Sequence, residues 1–214
     1  MADIALDQQT APTAPGGAVG IVWVDSTADV LALITDGNVK LGSSNNASVA
    51  SQGAGFATDT YVTNSDIKIP SWGLQPGDTI TWVLNASKTN AGTAAPVYTI
   101  RIGAARTTAD TSRLAITGSN QSAAVDIGVC TIGLTVRSVS ASGVLQGTVN
   151  WAHNGAGTEV GFCTTATTVA VGTSAGFDNT AQQGLFIGLS INAGTNAAWT
   201  LTQCRVIANW GRSG

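Results

Sequence analysis

Residues 55–103 read GFATDTYVTNSDIKIPSWGLQPGDTITWVLNASKTNAGTAAPVYTIRIG, and this stretch decides the fold class. Within it, Thr79 to Asn85 places Ile80, Trp82 and Leu84 in one phase and Thr79, Thr81, Val83 and Asn85 in the other, the period of two expected of a half-buried strand. Gln75-Pro76-Gly77-Asp78 precedes it; proline presets φ for the second turn position, and glycine takes the positive φ that a type II turn requires at the third. A polar, small-residue segment from Asn85 to Pro96 follows, and then Tyr98, Ile100 and Ile102 alternate with Val97, Thr99 and Arg101. Strand, tight turn, strand, long loop and strand are the vocabulary of an antiparallel sandwich.

The rest of the composition agrees. Only 10% of the 214 residues are charged against 43% hydrophobic, where soluble domains carry about 25% charge. Glu159 is the only glutamate, and Lys40, Lys68 and Lys88 are the only lysines. Those residues dominate exposed helix surfaces, so their scarcity points to strands joined by Gly, Ser, Thr and Asn turns. A surface this poor in charge is unusual for a free monomer and fits a chain partly covered by other subunits.

Working outward, four segments are expected. Residues 1–17 have prolines at both Pro12 and Pro15 and no periodicity, and read as an extended anchoring arm with Ile4 and Leu6 as its apolar contacts. Residues 18–42 read as a small β-meander or attachment domain: strands at Val19–Val24 and Val30–Thr35, the hairpin signal Asp36-Gly37, and a return strand at Asn38–Leu41. Residues 43–54 (SSNNASVASQGA) read as a linker. Residues 55–214 read as a jelly-roll-like β-sandwich of roughly eight to ten strands. In Ala124 to Val139, Ile127 and Val129 lie in one phase and Ile132, Leu134 and Val136 in the other, which predicts a β-bulge near Val129 and Cys130.

Several function classes find no support. The net charge of −3 is spread thinly, without the concentrated basic face that nucleic-acid binding needs. No apolar run approaches the ~20 residues of a membrane-spanning helix, and the first residues have no signal-peptide pattern. Cys130, Cys163 and Cys204 are odd in number and widely spaced, and read as small core residues rather than metal ligands or disulfides. The single histidine, His153, lacks a nucleophile motif and reads as a packed or strand-end residue. Most aspartates occupy turn positions. Asp59, Asp66 and Asp110 have the least obvious structural role; a Ca²⁺ site is their functional alternative, although no D-x-D-x-D-G run supports it. No cofactor, metal or catalytic residue is therefore expected. Trp82 and Trp151 read as core. Trp72 and Trp210 read as an oligomer seam or a surface platform for sugar, and Asn90, Gly92 and Thr93 as an exposed loop tip.

Several of these stretches together resemble bacteriophage virion proteins of the short tail-fibre, minor-tail and head-fibre type. They include Thr13-Ala14-Pro15, Val22-Trp23-Val24-Asp25-Ser26-Thr27, Asp36-Gly37-Asn38-Val39, Asn46-Ala47-Ser48-Val49-Ala50 and Gly55-Phe56-Ala57-Thr58-Asp59-Thr60-Tyr61. Later come Thr107-Thr108-Ala109-Asp110-Thr111, Val144-Leu145-Gln146-Gly147, Ser174-Ala175-Gly176-Phe177-Asp178 and Ala197-Ala198-Trp199-Thr200. The resemblance implies a non-enzymatic virion protein made in the host cytoplasm. It would be a homotrimer, anchored to other virion proteins (capsid, portal, tail or fibre-anchoring protein) by its N-terminal region and displaying the sandwich to a host-surface glycan. A capsid decoration protein is the alternative, and a carbohydrate-active tailspike enzyme the weaker one.

Overall fold

The computed structural model describes the backbone of residues 21–25, 30–35, 38–48, 52–89, 92–153, 161–163, 169–194 and 199–211, with side chains within those spans from residue 55 onward. The protein is all-β, two antiparallel sheets forming a sandwich. The strands are β1 (Ile21–Asp25), β2 (Val30–Thr35), β3 (Asn38–Ser48), β4 (Gln52–Gly55), β5 (Thr60–Tyr61), β6 (Ile67–Lys68) and β7 (Thr79–Lys88). They continue as β8 (Val97–Gly103), β9 (Thr111–Thr117), β10 (Asp126–Ser138), β11 (Val144–His153), β12 (Val169–Thr173), β13 (Phe186–Asn192) and β14 (Trp199–Gly211).

The large sheet runs β1-β2-β3-β14-β7-β10-β11-β12, with β4 also on β14; the small sheet runs β5-β13-β8-β9, with β6 also on β13. Pairing in the sandwich is nested: β7 lies beside β14, β8 beside β13, and β10 and β11 form the innermost hairpin. That is how a rolled-up antiparallel ribbon pairs its ends; the jelly-roll expectation itself rested only on strand number and spacing.

The turn before β7 forms as the sequence implies. Asp78 N–H donates to Gln75 C=O at 3.1 Å, and Gly77 has φ of 90°, a conformation in which an L side chain would be strained. From there β7 alternates half-buried and buried residues along its whole length. Its inward residues Ile80, Trp82 and Leu84 join one core with Cys130, Ile132 and Leu134 of β10, Leu145, Val149 and Trp151 of β11, and Ile187, Leu189 and Ile191 of β13. At one end the core is aromatic. Trp151 stacks on Phe162 at 4.0 Å, and Trp199 meets both rings edge-on at 5.4 and 5.1 Å, contacts of about 0.5–1.5 kcal/mol each beyond area burial.

The polar ends of these rings are satisfied inside. Trp151 Nε1 donates to Tyr98 Oη at 2.7 Å, Trp82 Nε1 to Ser65 C=O at 2.6 Å, and Trp199 Nε1 to Gln121 Oε1 at 2.7 Å. Gln121, buried in a loop, also donates through Nε2 to the carbonyls of Ala94 and Ala193. One side chain thereby ties three loops to the aromatic cluster, as buried polar groups must be paired.

Two expectations need correction. The bulge near Val129 and Cys130 is absent: β10 pairs with β7 in unbroken register from Asp126↔Lys88 to Thr135↔Thr79, and the irregularity in β10 lies between Val136 and Ser138 on its β11 side. The apolar residues change phase because Ile127 and Val129 point to solvent, at 64% and 38% exposure. The stretch 43–54, read as a linker, is strand where it is described. Ser43–Ser48 pair with Asn209–Cys204 of β14, and β4 adds to the same strand. Serine and asparagine lend this segment little strand propensity, but the backbone groups of β14 require partners on that side.

Candidate binding surfaces

Two surfaces outside the core combine defined geometry with exposed chemistry. The first is the outer face of β14-β7-β10-β11-β12. Register places its residues in rows across the strands: Thr200, Ser87 and Ile127; then Gln203, Asn85, Val129 and Ala152; then Arg205, Val83, Thr131, Asn150 and Val169. Further rows hold Ile207, Thr81, Gly133, Thr148 and Val171, and Asn209, Thr79, Thr135, Gln146 and Thr173. Arg205 is the one charged residue in these rows, and none is aromatic.

Ile127, Val129, Val169 and Val171 are exposed large apolar residues of this face, with Val125 just before β10. A shallow depression of about 670 Å³ lies over Asn85, Ser87, Ile127, Val129 and His153, and a smaller one of about 350 Å³ over Thr79, Thr81, Thr135 and Thr148. Ile127 and Val129 on β10 and Val169 and Val171 on β12 form two apolar spots, with the polar β11 residues Asn150 and Thr148 beside the second.

The second surface is a cleft of about 340 Å³ at one end of the small sheet, lined by Tyr61, Thr63, Asn64, Asp66, Ala105 and Arg106. The loops on its two sides, after β5 and after β8, are joined by an ion pair: Arg106 Nη2 lies 2.8 Å from Asp66 Oδ2. Asp66 is buried and Arg106 is half-exposed. The Arg106 guanidinium also lies 4.9 Å from the centroid of the Phe186 ring, within cation–π range.

The loop carrying Arg106 is built rigidly. Asp110 accepts the N–H groups of Ala105 and Arg106 at 2.9 and 2.8 Å. Arg101 donates to the carbonyls of Thr108 and Asp110 and to Ser190 Oγ, and pairs with Asp59. Gly103 is required here because a Cβ would overlap the Asp110 side chain. Burial, and then the charges of Asp66 and Asp110, push the Tyr61 hydroxyl well above the usual phenol range, so it stays protonated.

The three loop aspartates considered for Ca²⁺ thus have other partners: Asp59 takes Arg101, Asp66 takes Arg106, and Asp110 caps two backbone N–H groups. Among the described residues no three His, Cys, Asp or Glu side chains gather as a metal would need.

His153 ends β11 with Nδ1 3.3 Å from the buried Asp126 Oδ2, which also accepts Phe162 N–H. In register opposite Asp126 sits Lys88, almost fully buried, whose Nζ donates to Ser122 C=O at 2.5 Å; burial lowers its pKa. Burial, and then the Asp126 charge, push the Cys163 thiol up to about 11, and burial pushes Cys204 up to about 12. At neutral pH these thiols are protonated and weakly nucleophilic. The buried Lys88–Asp126 pairing was not foreseen from sequence; a lone lysine in the inward phase of β7 was the available signal.

Of the residues singled out by sequence, Ile4, Leu6, Pro12, Pro15 and Asn90 lie outside the described residues. Gly92 is half-buried with φ of 70°, and Thr93 is exposed, with its carbonyl accepting Gln121 N–H at 3.2 Å. Trp72 is partly buried against the core of its own chain. Trp210 is 3% exposed, so its ring offers neither a sugar platform nor a seam; β14 keeps it in the inward phase with Val206 and Ala208. Arg106 and Asn64 were missed, because their pairing in one cleft depends on loops distant in sequence.

No protein-family model and no curated protein matches the chain. Among solved structures, it is similar to the CBM2 module of the evolved Dit of Lactobacillus casei BL23 phage J-1, with 7% identity over 84% of this chain and 79% of that chain and a TM-score of 0.25. A score of that size transfers neither architecture nor function, and the sandwich rests on its own strand register.

Proposed function

We propose that this chain is a non-enzymatic structural protein of a phage virion: a short homotrimeric fibre or spike, anchored by its N-terminal region and displaying the sandwich for host-surface contact. The observation that carries the reading is the outer face of the large sheet. Five strands at ~4.8 Å spacing and about 30 Å of strand length give roughly 700 Å², close to the ~800 Å² each partner contributes to a stable interface. Arg205 is the only charge in its rows and Arg137 follows them at the end of β10, so the face carries little charge for its area, and its exposed Ile and Val residues gain from being covered. The absence of aromatic rings from the face favours protein over sugar as its occupant.

In this reading the face turns toward the threefold axis. The intact chain then has a solution mass three times its 21.5 kDa, and Thr131→Arg, at the centre of the face, converts it to monomers. A monomeric wild type removes the trimer. Antibody against residues 55–214 should label phage particles at the tail or at vertices in few copies; hundreds of copies over the head would instead favour a decoration protein, whose flat face docks on capsomers.

A further inference from the structure

The cleft at the end of the small sheet has a feature that loop pinning alone does not require. Two of its lining residues, Asn64 and Arg106, both have φ of 58°. Asparagine tolerates that region; for arginine it is uncommon and unfavourable. Such outliers persist where the surroundings over-determine them, and here the Asp110 carboxylate, the Asp66 ion pair and the Phe186 ring all hold Arg106 in place.

The result is a preorganised set of hydrogen-bonding groups around one small concavity. Asn64 lines it with a carboxamide and Arg106 with its guanidinium, beside Asp66, Thr63 and Tyr61, whose own polar groups are engaged within the protein, the Tyr61 hydroxyl with Ser65. The Asn64 side chain and the remaining Arg106 donors have no partner among the described residues. The geometry points to this cleft as a binding site for a single neutral hexopyranose ring, the terminal or branch sugar of a surface glycan; the assignment rests on the host-contact reading above and deepens it.

Three properties select that ligand class. The volume of about 340 Å³ is at the small end of the ~300–1,000 Å³ of ligand sites, room for one ring rather than an extended oligosaccharide. Adjacent donors and acceptors suit vicinal hydroxyls, each of which both donates and accepts. The Arg106 charge is already matched by Asp66, so an anionic sugar finds no uncompensated cation.

The test is saturation-transfer NMR on the full chain with the methyl glycosides of glucose, galactose and N-acetylglucosamine, and with glucuronate as the anionic arm. At least one neutral glycoside should show transfer. Asn64→Gly removes the carboxamide at a φ glycine adopts freely, so the fold is kept, and affinity should fall about tenfold, the scale of a lost hydrogen bond. Arg106→Gly relieves the same backbone strain and should abolish transfer. Transfer from glucuronate alone, no transfer from any neutral glycoside, or equal binding by a folded Asn64→Gly variant overturns the assignment. Absence of antibody label on the virion with sugar binding intact would overturn the host-contact reading instead, so the two failures are distinguishable.

Discussion

The outer face of the large sheet and the loop end of the small sheet handle a scarce supply of charge in opposite ways. The outer face presents Thr, Asn, Val and Ile in register, with Arg205 as the exception. The loop end concentrates Arg101 of β8, Asp59 and Asp66 on either side of β5, and Arg106 and Asp110 after β8, where they bond to one another and to backbone groups. Charge in this protein fixes loop geometry rather than solvating the broadest surface. A flat sheet needs no ion pairs to hold its shape because the ladder does so, whereas irregular loops must find side-chain partners for their polar groups.

The sharpest way to break this contrast is Asp110→Ala. It strands the N–H groups of Ala105 and Arg106 and loosens the loop that Arg101 braces, and should lower unfolding free energy by about 2–4 kcal/mol in urea titration. A loss under about 0.5 kcal/mol would mean that solvent replaces the carboxylate and that the loop is not charge-built.

A smaller, pH-dependent effect belongs to Asp78, in the turn that leads into β7 of the large sheet. It accepts the N–H groups of Gln75 and Gly211, both at 2.8 Å, and burial, outweighing those two bonds, raises its pKa from 3.8 to about 6. A raised carboxyl pKa means that the folded state holds its proton more tightly than the unfolded one. Its contribution to stability is therefore full below about pH 4 and is lost as pH rises through about 6. The stability advantage of wild type over Asp78→Asn should shrink across that window. A carboxyl titrating near 4 by NMR would refute it.

The smallest effect is expected on the outer face. Ile127→Thr, at 64% exposure, should change monomer stability by no more than about 0.5 kcal/mol. A large loss would show that Ile127 packs within its own chain, and would weaken the contrast from the other side.

The alternation in β7, the Pro76-Gly77 turn, and the strands Val97–Gly103, Thr111–Thr117, Val144–His153 and Phe186–Asn192 were all legible to within a residue or two, since each is a local period or a local turn preference. Where the local signal was right but its direction was not, the structure corrected the meaning. Ile127 and Val129 marked a true change of phase, read as a bulge because apolar residues were assumed to face inward; an exposed apolar patch leaves the same trace. Trp210 was placed at a surface because its neighbours are polar, yet strand phase alone puts it in the core. Residues 43–54 were read as linker from composition, and strand pairing with β14 overrode it where the segment is described.

The sequence by itself determined an all-β sandwich with little surface charge, because periodicity and composition are properties of neighbouring residues. Only the tertiary structure decided that Gln121 joins three loops to the aromatic cluster, that Lys88 lies buried opposite Asp126, and that Asn64, Asp66 and Arg106 share one cleft. Those groupings connect segments tens of residues apart, and no local pattern specifies which distant loop will be brought alongside.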